Sequence, residues 1–578
     1  MKKIYIPLMC AAVLFVSACE DKLDIPQKGV ITYEDFYQTD DDAESALAAA
    51  YDIFAQNIAR PEGEYIICPY IALFNLPGDD VYAAGEFYGD NDFAGQINEF
   101  RFDANTQLVT SMYKGFYQMI YGANLVIDNF KDGTSAVQKR CVAEARVMRA
   151  WAHMMLAIGW RCPPLVDQVL EGSAKPTNYG NNDHASHLEL LKWCADEALA
   201  VMGDLRERAS KNDTKGTTYI TKGFAQFVAG KALISAGDWA GAKAALKPLV
   251  TSSKYELVPG ARIRETFHLS GEGNEEIIFA ANVCNNPAIS TWGGKMQKTI
   301  WMHMDIWGWR TDHMAGKPAS VQGGWGGLGV RQDFADAFVA NDGYGSARRQ
   351  AWIKKFDPEI LYEMAYTTDG DMTLDEKKKS ADRGIKSYLY GQSEYLMYKR
   401  LADADEYADN PHTLNSLVAR LAEAYLLYAE ACARTNDNDG LQYLNAIQNR
   451  AGSQTVSGTL TLDAVKTEKR FEMFLEGCRF PDLVRWSWQD NDKTVFNGLI
   501  NSGKNVPQLY DQFFQATDDK GVSNQPRTTK TDTHVIYVVM QQPNQGEVGF
   551  KAGKHEYFPY PGAAVMAINP NMKQNPGW

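Results

Sequence analysis

Residues 40 to 58 open with Asp40, Asp41 and Asp42 and then place Ala43, Ala46, Leu47, Ala50, Tyr51, Phe54 and Ile58 at three- and four-residue spacing. That spacing draws one apolar stripe along a helix whose acids stand at the positive end of its dipole. Comparable stripes run over about 107–130, 136–160, 186–210, 218–236, 239–251, 412–434 and 439–451. Two helical blocks, 40–251 and 412–486, are therefore predicted. In the second block Thr467 to Trp486 sets Phe471, Phe474, Leu475 and Cys478 on one face beside Glu468, Glu472, Glu476 and Arg479. The acids are expected to pair with Arg470, Arg479 or Arg485, and Pro481 to stop the helix. From about 252 to 411 the helical period fades and glycines, prolines and aromatics take over. Loops on a rigid body are the usual place for recognition residues. Residues 487–578 again read as irregular, with a strand at Val535 to Met540.

Gly230, Leu233, Gly237-Asp238-Trp239 and Ala242 resemble the middle of a tetratricopeptide repeat, where small residues let two helices cross closely. The predicted fold is all-α: a tetratricopeptide-like superhelix of helical hairpins with a large irregular insertion and a few short strands. Such a scaffold packs; it does not define a function.

The N-terminus changes where this scaffold is expected to work. Lys2 and Lys3 precede an apolar run from Ile4 to Val16 and the small-residue site Val16-Ser17-Ala18-Cys19. This is a secretory signal, too short to span a bilayer. It resembles a bacterial lipobox, with Val16 where Leu is commonest, which implies removal of residues 1–18 and lipidation of Cys19. One domain, residues 19–578, would remain. The formal charge is −14, which disfavours nucleic acid as a partner because polyphosphate needs a basic field. With 45% hydrophobic and 22% charged residues the chain can bury a large core. Seven cysteines besides Cys19 remain after cleavage, none in a Cys-x-x-Cys pair, so buried thiols are expected rather than a disulfide framework or zinc site.

Several segments carry a family resemblance. Glu476-Gly477-Cys478-Arg479 leads to Asp482-Leu483-Val484-Arg485-Trp486. Arg420 to Gly452, Phe558 to Trp578, Glu144 to Val166 and Tyr113 to Asp128 follow the same family's order. Together, behind the lipobox, they resemble the SusD/RagB family of outer-membrane nutrient-binding lipoproteins. Cys478 and Pro481 depart from its pattern, and residues 285–410 match poorly. The resemblance implies a protein lipid-anchored on the cell surface that binds oligo- or polysaccharide and hands it to a SusC-like TonB-dependent transporter. Peptide capture of the RagB type is the alternative within the family.

Five of the thirteen tryptophans, Trp292, Trp301, Trp307, Trp309 and Trp325, fall within 34 residues, with Asp305, Arg310, Asp312 and Gln322 among them. Flat rings with nearby polar groups suit the C–H faces and hydroxyl rim of a sugar. Equally, tryptophans anchor long glycine-rich segments to a core. A second cluster, Asp79-Asp80, Tyr82, Glu86, Phe87-Tyr88 and Asp90-Asn91, occupies the loop that contributes to the glycan site in SusD-like proteins. By that resemblance Asp80, Tyr82, Tyr88 and Asn91 are candidates; packing of the loop on the helices is the alternative.

Signals for enzymes are poor. Gly324 to Gly329 fits G-x-G-x-x-G without a preceding strand, His184 and His187 lack a third ligand, and G-x-S-x-G is absent. Asp403, Asp405, Glu406 and Asp409, like Asp437 to Gly440, lack the spacing of an EF-hand and read as solvated loops. No cofactor, metal or catalytic residue is expected, although a surface hydrolase using paired carboxylates stays open because their separation is spatial.

Overall fold

The computed structural model describes residues 36–59, 69–84, 92–172, 182–282, 326–355, 395–401, 414–500, 549–567 and 572–578. It also describes the single positions 176, 309, 324, 359, 403 and 569, and the backbone of 510–514, 528–529 and 535–539. In chain order the elements are α1 (Asp40–Ala59), α2 (Pro69–Asn75), β1 (Val81–Ala83), α3 (Asp92–Asn98), α4 (Gln107–Phe130), α5 (Ala136–Trp160), α6 (His184–Ala200), α7 (Lys222–Ala236) and α8 (Trp239–Val250). Then follow β2 (Ile277–Ala281), β3 (Leu328–Val330), α9 (Gln332–Asp342), α10 (Ala347–Trp352), β4 (Ile353–Lys355), β5 (Tyr395–Met397) and β6 (Ser416–Arg420). The chain continues with α11 (Leu421–Arg434), α12 (Leu441–Ala451), α13 (Leu462–Glu472), α14 (Arg479–Gln489), β7 (Tyr510–Phe514), β8 (Thr528–Thr529) and β9 (Val535–Val539).

Local chemistry explains many of the boundaries. Ser135, Asp183 and Asp238 cap α5, α6 and α8, each accepting a backbone N–H from three residues on. α7 ends on Gly237, whose φ of +78° suits a residue without a β-carbon. The hairpin predicted around Gly230 forms: a β-carbon there would lie 2.3 Å from Leu246, so glycine is what lets α7 and α8 close. Packing then runs in chain order from α4 to α5, α6, α7 and α8, and on to α11 and α13. This is the tetratricopeptide-like helical superhelix, with the insertion looped out between α8 and α11.

Three expectations need correction. Residues 416–420, predicted as the start of a helix, form β6, which pairs antiparallel with β2; tertiary pairing overrides the local period. Among the described residues the insertion holds the α-helices α9 and α10, and Phe334 and Phe338 of α9 stack on Phe474 and Phe471. Pro481 does not stop a helix. It sits in the first turn of α14, where its missing N–H costs nothing, and the break falls earlier, at Leu475 and Gly477 with φ of +62° and +75°. The predicted strand near 535 is β9, the middle strand between β7 and β8.

The C-terminal tail is irregular but tied down. Trp160 donates to the Pro559 carbonyl, while Asn575 donates to the carbonyls of Trp160 and Phe558. Among the described residues Cys141, Cys162, Cys194, Cys432 and Cys478 are buried free thiols, and no helix is long and apolar enough to cross a membrane.

Candidate functional site

The two candidate clusters, more than two hundred residues apart in sequence, meet through a short ribbon. β1 pairs antiparallel with β3 in the register Val81–Val330, Tyr82–Gly329 and Ala83–Leu328. The Ala84 N–H donates to the Gly327 carbonyl and the Arg331 N–H to the Asp80 carbonyl, each at 3.0 Å. Gly329, directly across from Tyr82, adds no side chain to the ribbon there. Asn98 braces the outer edge of β1, accepting from the Ala83 N–H and donating to the Leu76 carbonyl.

Two candidates prove to have internal duties. Trp309 is 4% exposed and belongs to the core. Its indole N–H donates to the Met397 carbonyl at 2.6 Å, the Gly324 N–H donates to its own carbonyl at 2.7 Å, and its ring lies against Tyr398. It anchors its own segment to β5, the alternative the tryptophan cluster left open, because a buried indole must satisfy its N–H on a fixed acceptor. Asp80 is also buried, and its carboxylate accepts from Arg470 Nε at 2.7 Å. It is thereby removed from the surface where a sugar hydroxyl would reach it. Of the other candidates, Trp292, Trp301, Trp307, Trp325, Tyr88, Asn91, Arg310 and Cys19 lie outside the described residues, and for Tyr82 the backbone alone is described.

The signature segment supplies charge, and most partners differ from those expected. Glu472 takes Arg420 Nη1 at 2.6 Å, Arg348 Nη1 at 3.0 Å and Arg450. Glu476 takes Arg420 and Lys399, and Glu468 takes Arg348. The local arginines go elsewhere: Arg485 to Glu430 and Asp482, Arg479 to Asp79, Arg470 to Asp79 and Asp80. Burial works against the charge on Glu472, yet Arg450, Arg420 and Arg348 hold its carboxyl well below the usual range. Burial likewise opposes charge on Asp79, where Arg470 and Arg479 prevail and hold it low. At Asp80 burial dominates and raises the value. Sequence reading missed the duty of Arg470 and Arg479; the available signal was the acid pair Asp79-Asp80 directly before an aromatic loop, which needs buried cations once that loop is packed.

In the acidic stretches read as solvated loops, the described acids Asp403, Asp437 and Asp439 are paired with cations, while Asp405, Glu406 and Asp409 lie outside the described residues. Lys243 and Lys247 pair with Asp437 and Asp439, and Arg264 with Asp403. Among the described residues no group of three or more acids, histidines or cysteines is arranged to hold a metal. Apart from the ribbon, an open groove of about 530 Å³ lies between the first turns of α4 and the C-terminal segment, lined by Tyr113, Tyr117, Pro164, Val166, Pro561 and Val565.

Residues 305–578 match the family model of the SusD family. A SusD-like protein of Bacteroides ovatus is 23% identical over 505 residues, covering 84% of this chain and 83% of that one. Another from Formosa agariphila is 22% identical, covering 81% and 87%. Among solved structures, surface glycan-binding protein A from Bacteroides thetaiotaomicron in complex with laminarihexaose aligns at TM-score 0.67 and 18% identity, covering 93% of this chain and 100% of that one. A laminarin-binding SusD-like protein aligns at TM-score 0.66 and 20% identity, covering 93% and 99%. The C-terminal part of the chain is thus similar to the SusD family, and the chain shares its fold with the solved SusD-like structures.

Proposed function

We propose that this chain is a cell-surface lipoprotein, tethered through Cys19 to the outer membrane after loss of residues 1–18, that captures oligo- or polysaccharide and delivers it to a SusC-like TonB-dependent transporter. The β1–β3 pairing carries the reading: it roots the Tyr82–Asn91 loop and the tryptophan-rich segment on one ribbon, two sequences of the composition a sugar-stacking surface needs. With Trp309 committed to the core, the platform falls to Trp292, Trp301, Trp307 and Trp325, with Tyr82, Tyr88, Asn91 and Arg310 beside them.

Capture without cleavage fits the carboxylates near the ribbon. Asp79 and Asp80 are locked to arginines, whereas glycoside hydrolysis needs one acid free to give up a proton and another to attack or activate water. SusD-fold neighbours with glycan-binding names support the same class of ligand.

Calorimetry on the chain beginning after Cys19, with laminarihexaose, other glycans and peptides as probes, tests this reading. Binding of one glycan class that weakens about tenfold or more in Trp307→Ala is expected, the size of an aromatic hot spot. Binding of peptides alone would replace glycan with peptide as the ligand. Glycan binding indifferent to every tryptophan outside the core would move the site to the groove lined by Tyr113 and Tyr117.

A further inference from the structure

Strands of three residues do not hold each other in place, because a two-stranded ribbon of that length buries too little to offset its own ordering. β1 and β3 are therefore fixed from outside: Val81, Leu328 and Val330 pack into the core, Asn98 braces Ala83, and the charged contacts gather at the Asp79–Asp80 end. Asp79 and Asp80, the two residues before β1, both turn their carboxylates into the protein. Arg479 grips Asp79 with two parallel bonds of 2.6 and 2.9 Å. Arg470 reaches across both residues, donating Nε to Asp80 Oδ1 at 2.7 Å and Nη2 to the Asp79 carbonyl at 3.3 Å. On the other strand, Arg331 follows β3, donates its N–H to the Asp80 carbonyl and binds Asp333 in the first turn of α9 at 2.6 and 2.9 Å. The opposite end of the ribbon runs out into the two loops that hold the ligand candidates.

Arg470 lies on α13 and Arg479 opens α14, so the two helices of the signature segment grip the root of the ribbon from the helical body. We propose that the Arg470–Asp80 pair, backed by Arg479–Asp79, is a positioning clamp: it sets the angle of the β1–β3 ribbon, on which the affinity of the proposed glycan site depends. Asp80 thus serves the site at one remove. The proposal rests on the glycan reading for its ligand, but the clamp itself is a statement about the ribbon. Bidentate and charge-assisted bonds suit this duty because they fix direction as well as distance.

Two variants and two readouts test it. In Arg470→Gln and, independently, Asp80→Asn, backbone hydrogen exchange of peptides covering 79–84 and 327–331 is expected to speed up about tenfold or more, as it does when a local opening replaces global unfolding. Peptides of the α7–α8 hairpin should keep their wild-type rates. Affinity for whichever probe glycan the wild type binds, laminarihexaose first, should fall about tenfold in the same variants, and Arg470→Lys, which keeps the charge, should recover part of both effects. Ribbon exchange at the wild-type rate in both variants overturns the clamp. Faster ribbon exchange with unchanged affinity overturns its role in the site and leaves the glycan reading standing. A wild type that binds none of the glycans removes the glycan reading and with it the ligand half of the proposal, while the exchange rates still decide whether the clamp exists.

Discussion

Glu430 and Glu472 are fully buried carboxylates surrounded by guanidinium groups. Burial alone would push both toward the neutral form; for Glu430 the Arg485 charge and its two bonds of 2.6 Å, with Lys469 and Arg434 beyond, hold the value well below the ordinary one. A carboxyl held low in the folded state adds stability above the unfolded value of about 4.3, and that stability is lost as pH falls toward the folded value. Melting temperature is therefore expected to drop as pH is lowered from 5 to 3, and to drop less steeply in Glu430→Gln. At pH 7 the same variant should cost about 3 kcal/mol in urea unfolding, since buried Arg485 would lose its bidentate partner and keep Asp482 as counter-charge. Trp309→Ala is expected to cost about 3 kcal/mol by the same measurement, through lost packing and an orphaned Met397 carbonyl. These duties were only half legible beforehand. An acid every fourth residue announces buried pairing, but the partners Arg348, Arg420 and Arg450 come from 22 to 124 positions away, and nothing in local spacing selects them.

The helices were the most readable parts, because each carries its own period and often its own cap. The α7–α8 hairpin goes further: Gly230 stands where a β-carbon would enter Leu246. Gly230→Ala improves helix propensity by roughly 1 kcal/mol but forces the two helices apart, and a net loss of about 2 kcal/mol is expected by urea unfolding. A gain in stability would mean that the hairpin adjusts at no cost. The misread elements share one cause. β6 follows β2 into a ladder and Pro481 joins the first turn of α14; in both, the deciding partner or dihedral lies outside the window that a hydrophobic period samples.

Taken as a whole, the chain is a helical array interrupted once. The array runs from α4 to α8, resumes at α11, and carries the insertion as a side structure tied to α13 by Arg348 on Glu468 and Glu472 and by Phe338 on Phe471, and to β6 through β2. This arrangement gives the ligand candidates a stiff base while leaving their loops free of the repeat geometry. The proposed tether adds an expectation for the intact protein: Cys19→Ser should move it from the membrane fraction to the soluble fraction on cell fractionation, because no helix among the described residues is long and apolar enough to cross a membrane and the proposed lipid would supply the anchor. Continued sedimentation of that variant with membranes would point to retention through a transporter partner instead.

Helix identity, the close α7–α8 crossing, the family resemblance and the composition of the aromatic loops all follow from residues near one another in the chain, where propensity, caps and period act over a few turns. The fate of Trp309 and Asp80, the partners of Glu472 and the meeting of residues 81–84 with residues 327–330 do not. They depend on which distant groups are brought into a medium too dry to leave an indole N–H, a carboxylate or a guanidinium unpaired, and that choice is made when the insertion folds back on the signature helices.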